Sequence, residues 1–381
     1  MTTATPDQIP ITRTPPFLDL QVGEAVTKIL ASGVLSNGPY VRELEHRAAD
    51  RLGAAECIAV SSSTTGLMLV LRAAELACEV VVPAFCFGPV ARAAVWNGLQ
   101  VSFADIDPRT LTLSPEDAAE AIGIRTSALL AVHTFGVPCD VDALAALAAR
   151  NGIALLFDAA DAFGSRRRGE PLGGSGDAAV FSLSPSRVLT GCEGGLILTN
   201  DHELAERCRI GRDGGHPNDL DTRFVGLDAR LSEIHAAVAL ASLESVEERV
   251  QRNNLLASTY RRLFDDIDGI DPPAVRDGDS GSNNGFTVLV DPERFGLEAA
   301  DLAGLLASEG VETRRHRRPV ATPGRPALGR VRALPVASMV AARALTLPLW
   351  PELTEAQLDR VVELIASART SRNGGPAFAS V

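Results

Sequence analysis

Three stretches carry residues whose types and spacing could do chemistry. Ile153 to Phe157 is an unbroken apolar run that ends in Asp158-Ala159-Ala160-Asp161, two carboxylates three positions apart. Ala128 to His133 is a second such run, closed by an imidazole. Gly176 to Val180 reads as a short buried strand and leads into Phe181-Ser182-Leu183-Ser184-Pro185-Ser186-Arg187, then to Glu193-Gly194-Gly195. Apolar runs bounded by turn residues are strand signals. The carboxyl ends of parallel strands are where α/β folds collect functional side chains. Opposed carboxylates and a fixed cation could do general acid–base work. His133 also has a plain structural reading, as a histidine that closes a strand. Arg187 limits the chemistry: a guanidinium with a pKa above about 12 stays protonated, so it binds anions and forms no imine.

Other elements must position these groups. Cys57 to Val60 is a short strand followed by Ser61-Ser62-Ser63-Thr64-Thr65-Gly66 and an apolar helix from Leu67 to Leu76. Strand, small hydroxyl residues, then helix is how a helix N-terminus offers free N–H groups to a phosphate, and it is equally a plain N-cap run. Glu79 to Pro83 and Val101 to Asp105 read as further strands, with Phe87 after the first. Helical periods mark 17–32, the only lysine (Lys28) among them, and Val41 to Leu52, stopped by Gly53. Strands alternating with helices predict an α/β, mostly parallel sheet. Ser232 to Val250 reads as one long amphipathic helix. From about Tyr260 shorter strands and helices predict a smaller α+β domain. Glu312-Thr313-Arg314-Arg315-His316-Arg317-Arg318 is a basic cluster within it, able to hold an anionic group or simply solvated.

The motifs from Pro15 to Ala368 resemble, in order and spacing, the sugar aminotransferases of the DegT/StrS type. These enzymes have the fold-type-I architecture and use pyridoxal phosphate (PLP). That resemblance implies a seven-stranded-type sheet and four segments: an arm (1–16), a large domain (17–255), a small domain (256–368) and a tail (369–381). It also assigns roles. The loop with Ser63 and Thr64 would hold the PLP phosphate, Phe87 would lie over the ring, Asp158 would pair with the pyridine nitrogen, and Ser182 is kept. His133 matches a Val-His pair, and Arg315 and His316 lie on a loop near the substrate. Three contacts differ. The family's Schiff-base lysine matches Arg187, its glutamine to the ring hydroxyl matches Asp161, and an asparagine that crosses a dimer to the partner's phosphate matches Asp228. Arg230 follows Asp228 on that crossing segment.

Three readings follow. The first is a repurposed enzyme without covalent PLP, with Arg187, Asp158, Asp161, His133 and Glu193 as its catalytic set. The second is a lysine-free dehydratase holding pyridoxamine phosphate (PMP) non-covalently. The third is a non-catalytic partner of an active homologue. Arg187 and Arg230, with Arg315 and His316, would bind an anionic or nucleotide-linked small molecule. A buried Arg187 needs a carboxylate, Asp158 first and Asp161 second. The protein is expected to be a homodimer. A net charge of −12 over 381 residues argues against nucleic acid. Six scattered cysteines without a CxxC, and no signal-peptide or membrane-length apolar run, predict a reduced, metal-free cytoplasmic protein.

Overall fold

Seven apolar runs become the strands of one sheet in the computed structural model, which describes residues 8–12, 20–215, 225–316, 329–330 and 333–370. The spatial order is Glu56–Val60, Gly195–Thr199, Ala178–Ser182, Ala154–Asp158, Thr126–Val132, Glu79–Pro83 and Gln100–Ala104, with the two-residue strand Gly329–Arg330 at the edge. All central pairings are parallel. Gly195–Thr199 alone runs antiparallel to both its neighbours. These strands are buried on both faces, so they read as continuous apolar runs instead of alternating ones. Two apolar layers cover the faces, one around Phe157 and Phe181, the other around Phe103 and Val82.

The second sheet orders Ile270–Asp271, Phe286–Val290, Ala344–Leu347 and Arg314–Arg315, all antiparallel. A third apolar cluster lies under it, with Tyr260, Phe286 and Trp350, and Ile9 from the N-terminal arm joins it. Ile9 is bridged to Val311. The expected tail lies outside the described residues from 371 onward.

The single helix expected over Ser232 to Val250 is two helices, Glu233–Glu244 and Val246–Phe264. Ser245 separates them with φ −108° and ψ 8°. Arg249 explains the break, because its Nη2 donates to the Ser242 carbonyl at 2.6 Å and so takes an acceptor the helix would use. The second helix runs from the cluster with Val250 to the cluster with Leu256, Tyr260 and Phe264, linking the large and small sheets' cores.

Candidate active site

The turn that carries Arg187 is fixed by short local bonds. The Arg187 N–H donates to the Ser184 carbonyl at 3.0 Å, and the Ser184 N–H donates to Ser182 Oγ at 3.3 Å. Gly195 lets its strand pass close to the start of the helix Ser63–Ala73, since a Cβ there would lie 2.6 Å from the Ser63 nitrogen. Arg187 projects into a cleft between the two sheets. Its Nη1 is ion-paired with Asp161 Oδ1. The two side chains are 19% and 12% exposed, so the pair is largely shielded from water. Asn284 Nδ2 donates to the same Asp161 oxygen at 3.4 Å. Arg187 Nε is buried and has no partner among the described residues.

Asp158 is thus not the primary partner of Arg187. It ends its strand at 5% exposure, and its Oδ1 accepts the Ala160 N–H at 2.9 Å. Asp161, one turn further on, is the carboxylate that faces the cleft. Burial raises the Asp158 pKa above the ordinary carboxylate value, against the Ala160 bond and the Arg187 charge, which lower it. Burial likewise lowers the Arg187 pKa, the Asp158 charge opposing and Arg314 reinforcing.

Phe87 and His316 face the same cleft. The His316 ring sits among Phe135 (4.7 Å between centroids), Phe87 (5.8 Å) and Phe85 (6.2 Å), all edge-on. Its Nε2 lies 2.8 Å from Thr346 Oγ1. Burial, then the Arg314 charge, pushes its pKa down to about 4, so the imidazole is neutral. Phe135 adopts a left-handed φ of 56°, an unusual backbone for a bulky residue at the cleft wall.

Several expected site residues lie elsewhere. His133 is 1% exposed and stacks on Phe157 at 4.7 Å. Its Nδ1 accepts the Cys139 N–H at 3.0 Å, and burial lowers its pKa to about 3. It is a neutral packing residue behind the strand ends and does not line the cleft. Ser182 is buried and bonded to Ser184. Glu193 is exposed. Asp228 is 80% exposed and lies 3.2 Å from Arg230. Arg315 is exposed and outside the cleft lining, whereas Arg314 is inside it. Successive residues of an extended chain face opposite ways. Arg314 and His316 can therefore share the cleft and Arg315 cannot, a period-two signal visible in the sequence. Ser63 and Thr64 open the helix Ser63–Ala73, whose N-cap Ser62 forms a capping box with Thr65. The Ser63 and Thr64 N–H groups have no partner among the described residues and stay available to an anion. No group of three His, Cys, Asp or Glu able to hold a metal occurs among the described residues.

A doubly layered, mostly parallel sheet with a small C-terminal sheet closing over the strand ends is the architecture of the fold-type-I, PLP-dependent aminotransferases. The chain belongs to the DegT/DnrJ/EryC1/StrS aminotransferase family, whose pattern matches residues 18–366. It is 32% identical, over 92% of its length and 96% of the relative's, to the UDP-2-acetamido-2-deoxy-3-oxo-D-glucuronate aminotransferase of Pseudomonas aeruginosa. It is 31% identical, over 92% and 97%, to a pleiotropic regulatory protein of Geobacillus stearothermophilus. Among solved structures it superposes on DesI, crystallised in the presence of its TDP-sugar product, with a TM-score of 0.90 at 33% identity. That match covers 96% of this chain and 94% of DesI.

Proposed function

We propose that this chain is a biosynthetic enzyme of the sugar aminotransferase family in which Arg187 replaces the imine-forming lysine. It acts on a small anionic molecule without a covalently held cofactor. The observation that carries the reading is the Arg187–Asp161 ion pair on the cleft wall. The chain's only lysine, Lys28, is exposed on the helix Leu20–Ser32 and is not among the cleft residues, so it offers no substitute amine. PLP would supply an electron sink to an amino-acid or sugar amine. The residues present fit that group only in part. The free N–H groups of Ser63 and Thr64 suit a phosphate, and Phe87 suits a ring. Arg187 cannot form the imine, Asp161 is already paired, and the Phe87 ring is contacted by His316.

The chain's own residues support a binding and proton-transfer role. Arg187 and Arg314 present two guanidinium groups to one cleft, which favours an anionic ligand and bidentate contact. Asp161 is the cleft's carboxylate and can accept a substrate proton, while neutral His316 offers its ring nitrogens. Asp228 and Arg230 enter such a site only from a second copy of the chain. A non-covalently held PMP is the second reading, favoured by the unpartnered Ser63 and Thr64 N–H groups. Absorbance spectroscopy of the purified protein mixed with PLP tests the proposal. No internal-aldimine band is expected, and no amino group should pass from glutamate to a keto-sugar nucleotide. Transfer at the rate of an ordinary family member would overturn the proposal.

A further inference from the structure

Residues 8–12 are remote in sequence from the small domain yet bonded to it. Ile9 donates to the Gly310 carbonyl at 2.9 Å and accepts the Glu312 N–H at 2.9 Å, a parallel bridge at Val311. The Ile11 N–H donates to Glu312 Oε2 at 3.2 Å, and the Ile11 carbonyl accepts the Leu349 N–H at 3.3 Å. One segment of the arm thus holds two others. Glu312 leads into the edge strand Arg314–Arg315, and Leu349 follows its partner strand, Ala344–Leu347. Those strands pair Arg314 with Thr346. Two residues further, the same register would set Glu312 against Pro348, which has no N–H to give. The pairing ends before that point, and the arm's bonds to Glu312 and Leu349 fall beyond it.

We infer that this arm is a strap on the cleft. Docked, it holds the two strands together where their own pairing stops, and so keeps Arg314 and His316 in place. Lifted, it opens the cleft wall. Ile11 and Thr12 line the cleft together with Arg187, Arg314, His316 and Thr346, so the arm is itself part of that wall. Ile9, 2% exposed, is the only buried residue within 8–12, so a single side chain anchors the segment. Ordering a short segment costs about as much as one buried isoleucine and a few hydrogen bonds return. Apart from Ile9, the apolar cluster it enters is built from buried residues between Leu256 and Ile365, so that core does not depend on the arm. The arm can therefore lift while the domain stays folded, as segments with few buried contacts do.

Hydrogen exchange read by mass spectrometry on the full chain tests this without any ligand, so the result stands apart from what the cleft binds. Ile9→Ser should raise exchange at Glu312 and Leu349 at least about tenfold while Phe286–Val290 stays within about twofold of wild type, because the opening is local. In the same variant phenylglyoxal, an arginine reagent, should modify Arg187 at least about threefold faster, since the wall beside it has lifted. Ile9→Val keeps an apolar anchor and should keep the wild-type values of both readouts. Glu312→Ala removes the acceptor of the Ile11 N–H and leaves the anchor, so it should move both readouts the same way by a smaller factor. Unchanged exchange at Glu312 and Leu349 in Ile9→Ser overturns the inference. So does a rise shared equally by Phe286–Val290, and so does faster exchange with Arg187 modified at the wild-type rate.

Discussion

At the residue scale the ion pair between Arg187 and Asp161 governs what the cleft can do. Arg187→Ala leaves a mostly buried carboxylate unpaired, and breaking such a pair costs about 3 kcal/mol. Urea denaturation should show that loss, and adding Asp161→Ala should return most of it. Arg187→Lys should not restore an imine: Asp161 would hold the new amine as an ammonium ion, and an ammonium is no nucleophile. Adding Asp161→Gln and Asp228→Asn should release it, visible as a yellow protein in the presence of PLP. A yellow single variant would refute the argument. The histidines supply a pH dependence. Burial lowers His133 to about 3 and His316 to about 4, both below the ordinary value near 6.5. The unfolded chain therefore binds protons first, so stability is full above about pH 6.5 and declines as pH falls toward the folded values. Each histidine contributes a slope of about 1.4 kcal/mol per pH unit in that window, and His133→Gln should remove one share. The sequence showed Arg187 and Asp161 as neighbours of a site because both sit just past strand ends. It placed Asp158 first as the arginine's partner because nothing local reveals that the Ala160 N–H already occupies that carboxylate.

At the scale of elements, two helices are capped by carboxylates far away in the chain. The helix Pro39–Leu52 begins at Gly38, which has no side chain to cap it. Glu233, 1% exposed, fills the gap by accepting from the N–H groups of Gly38, Tyr40 and Val41 at 2.8 to 2.9 Å. Asp105 does the same for the helix Pro335–Arg343 through Val336 and Ala337. Negative charge also suits a helix N-terminus. Glu233→Ala orphans three buried or half-buried donors and should lower stability by at least about 3 kcal/mol in urea denaturation, while Glu233→Gln loses less. These caps span 192 to 232 positions, so no window of sequence contains both partners. Six strands of the large sheet, by contrast, were readable to within two residues, since each is an apolar run, whereas the antiparallel Gly195–Thr199 was not read as a strand. The break at Ser245 was not, because it depends on Arg249 reaching back to Ser242.

For the whole molecule, the order of strands and helices was legible because the motifs recur at family spacing, and the match over 18–366 agrees with it. The lining of the cleft was not, because Phe87, Arg187, Asn284 and Thr346 are far apart in the chain and meet only through the fold. Asp228 and Arg230 sit on the surface of one copy, with Trp96 (74% exposed) and Val225 (73% exposed) among the large apolar side chains left open. Light scattering at micromolar concentration is expected to give a dimer, and a monomer there would remove both residues from the site. The lone exposed Lys28 has a consequence of another kind. All but one of the 36 basic side chains are arginines, whose charge persists past about pH 12, whereas lysine sheds its proton near 10.4. The cationic lattice of this surface therefore stays intact in alkaline solutions that would neutralise a lysine-rich homologue. Amine-directed reagents, from dyes to cross-linkers, meet a single ε-amino group, on the helix Leu20–Ser32 and away from the cleft.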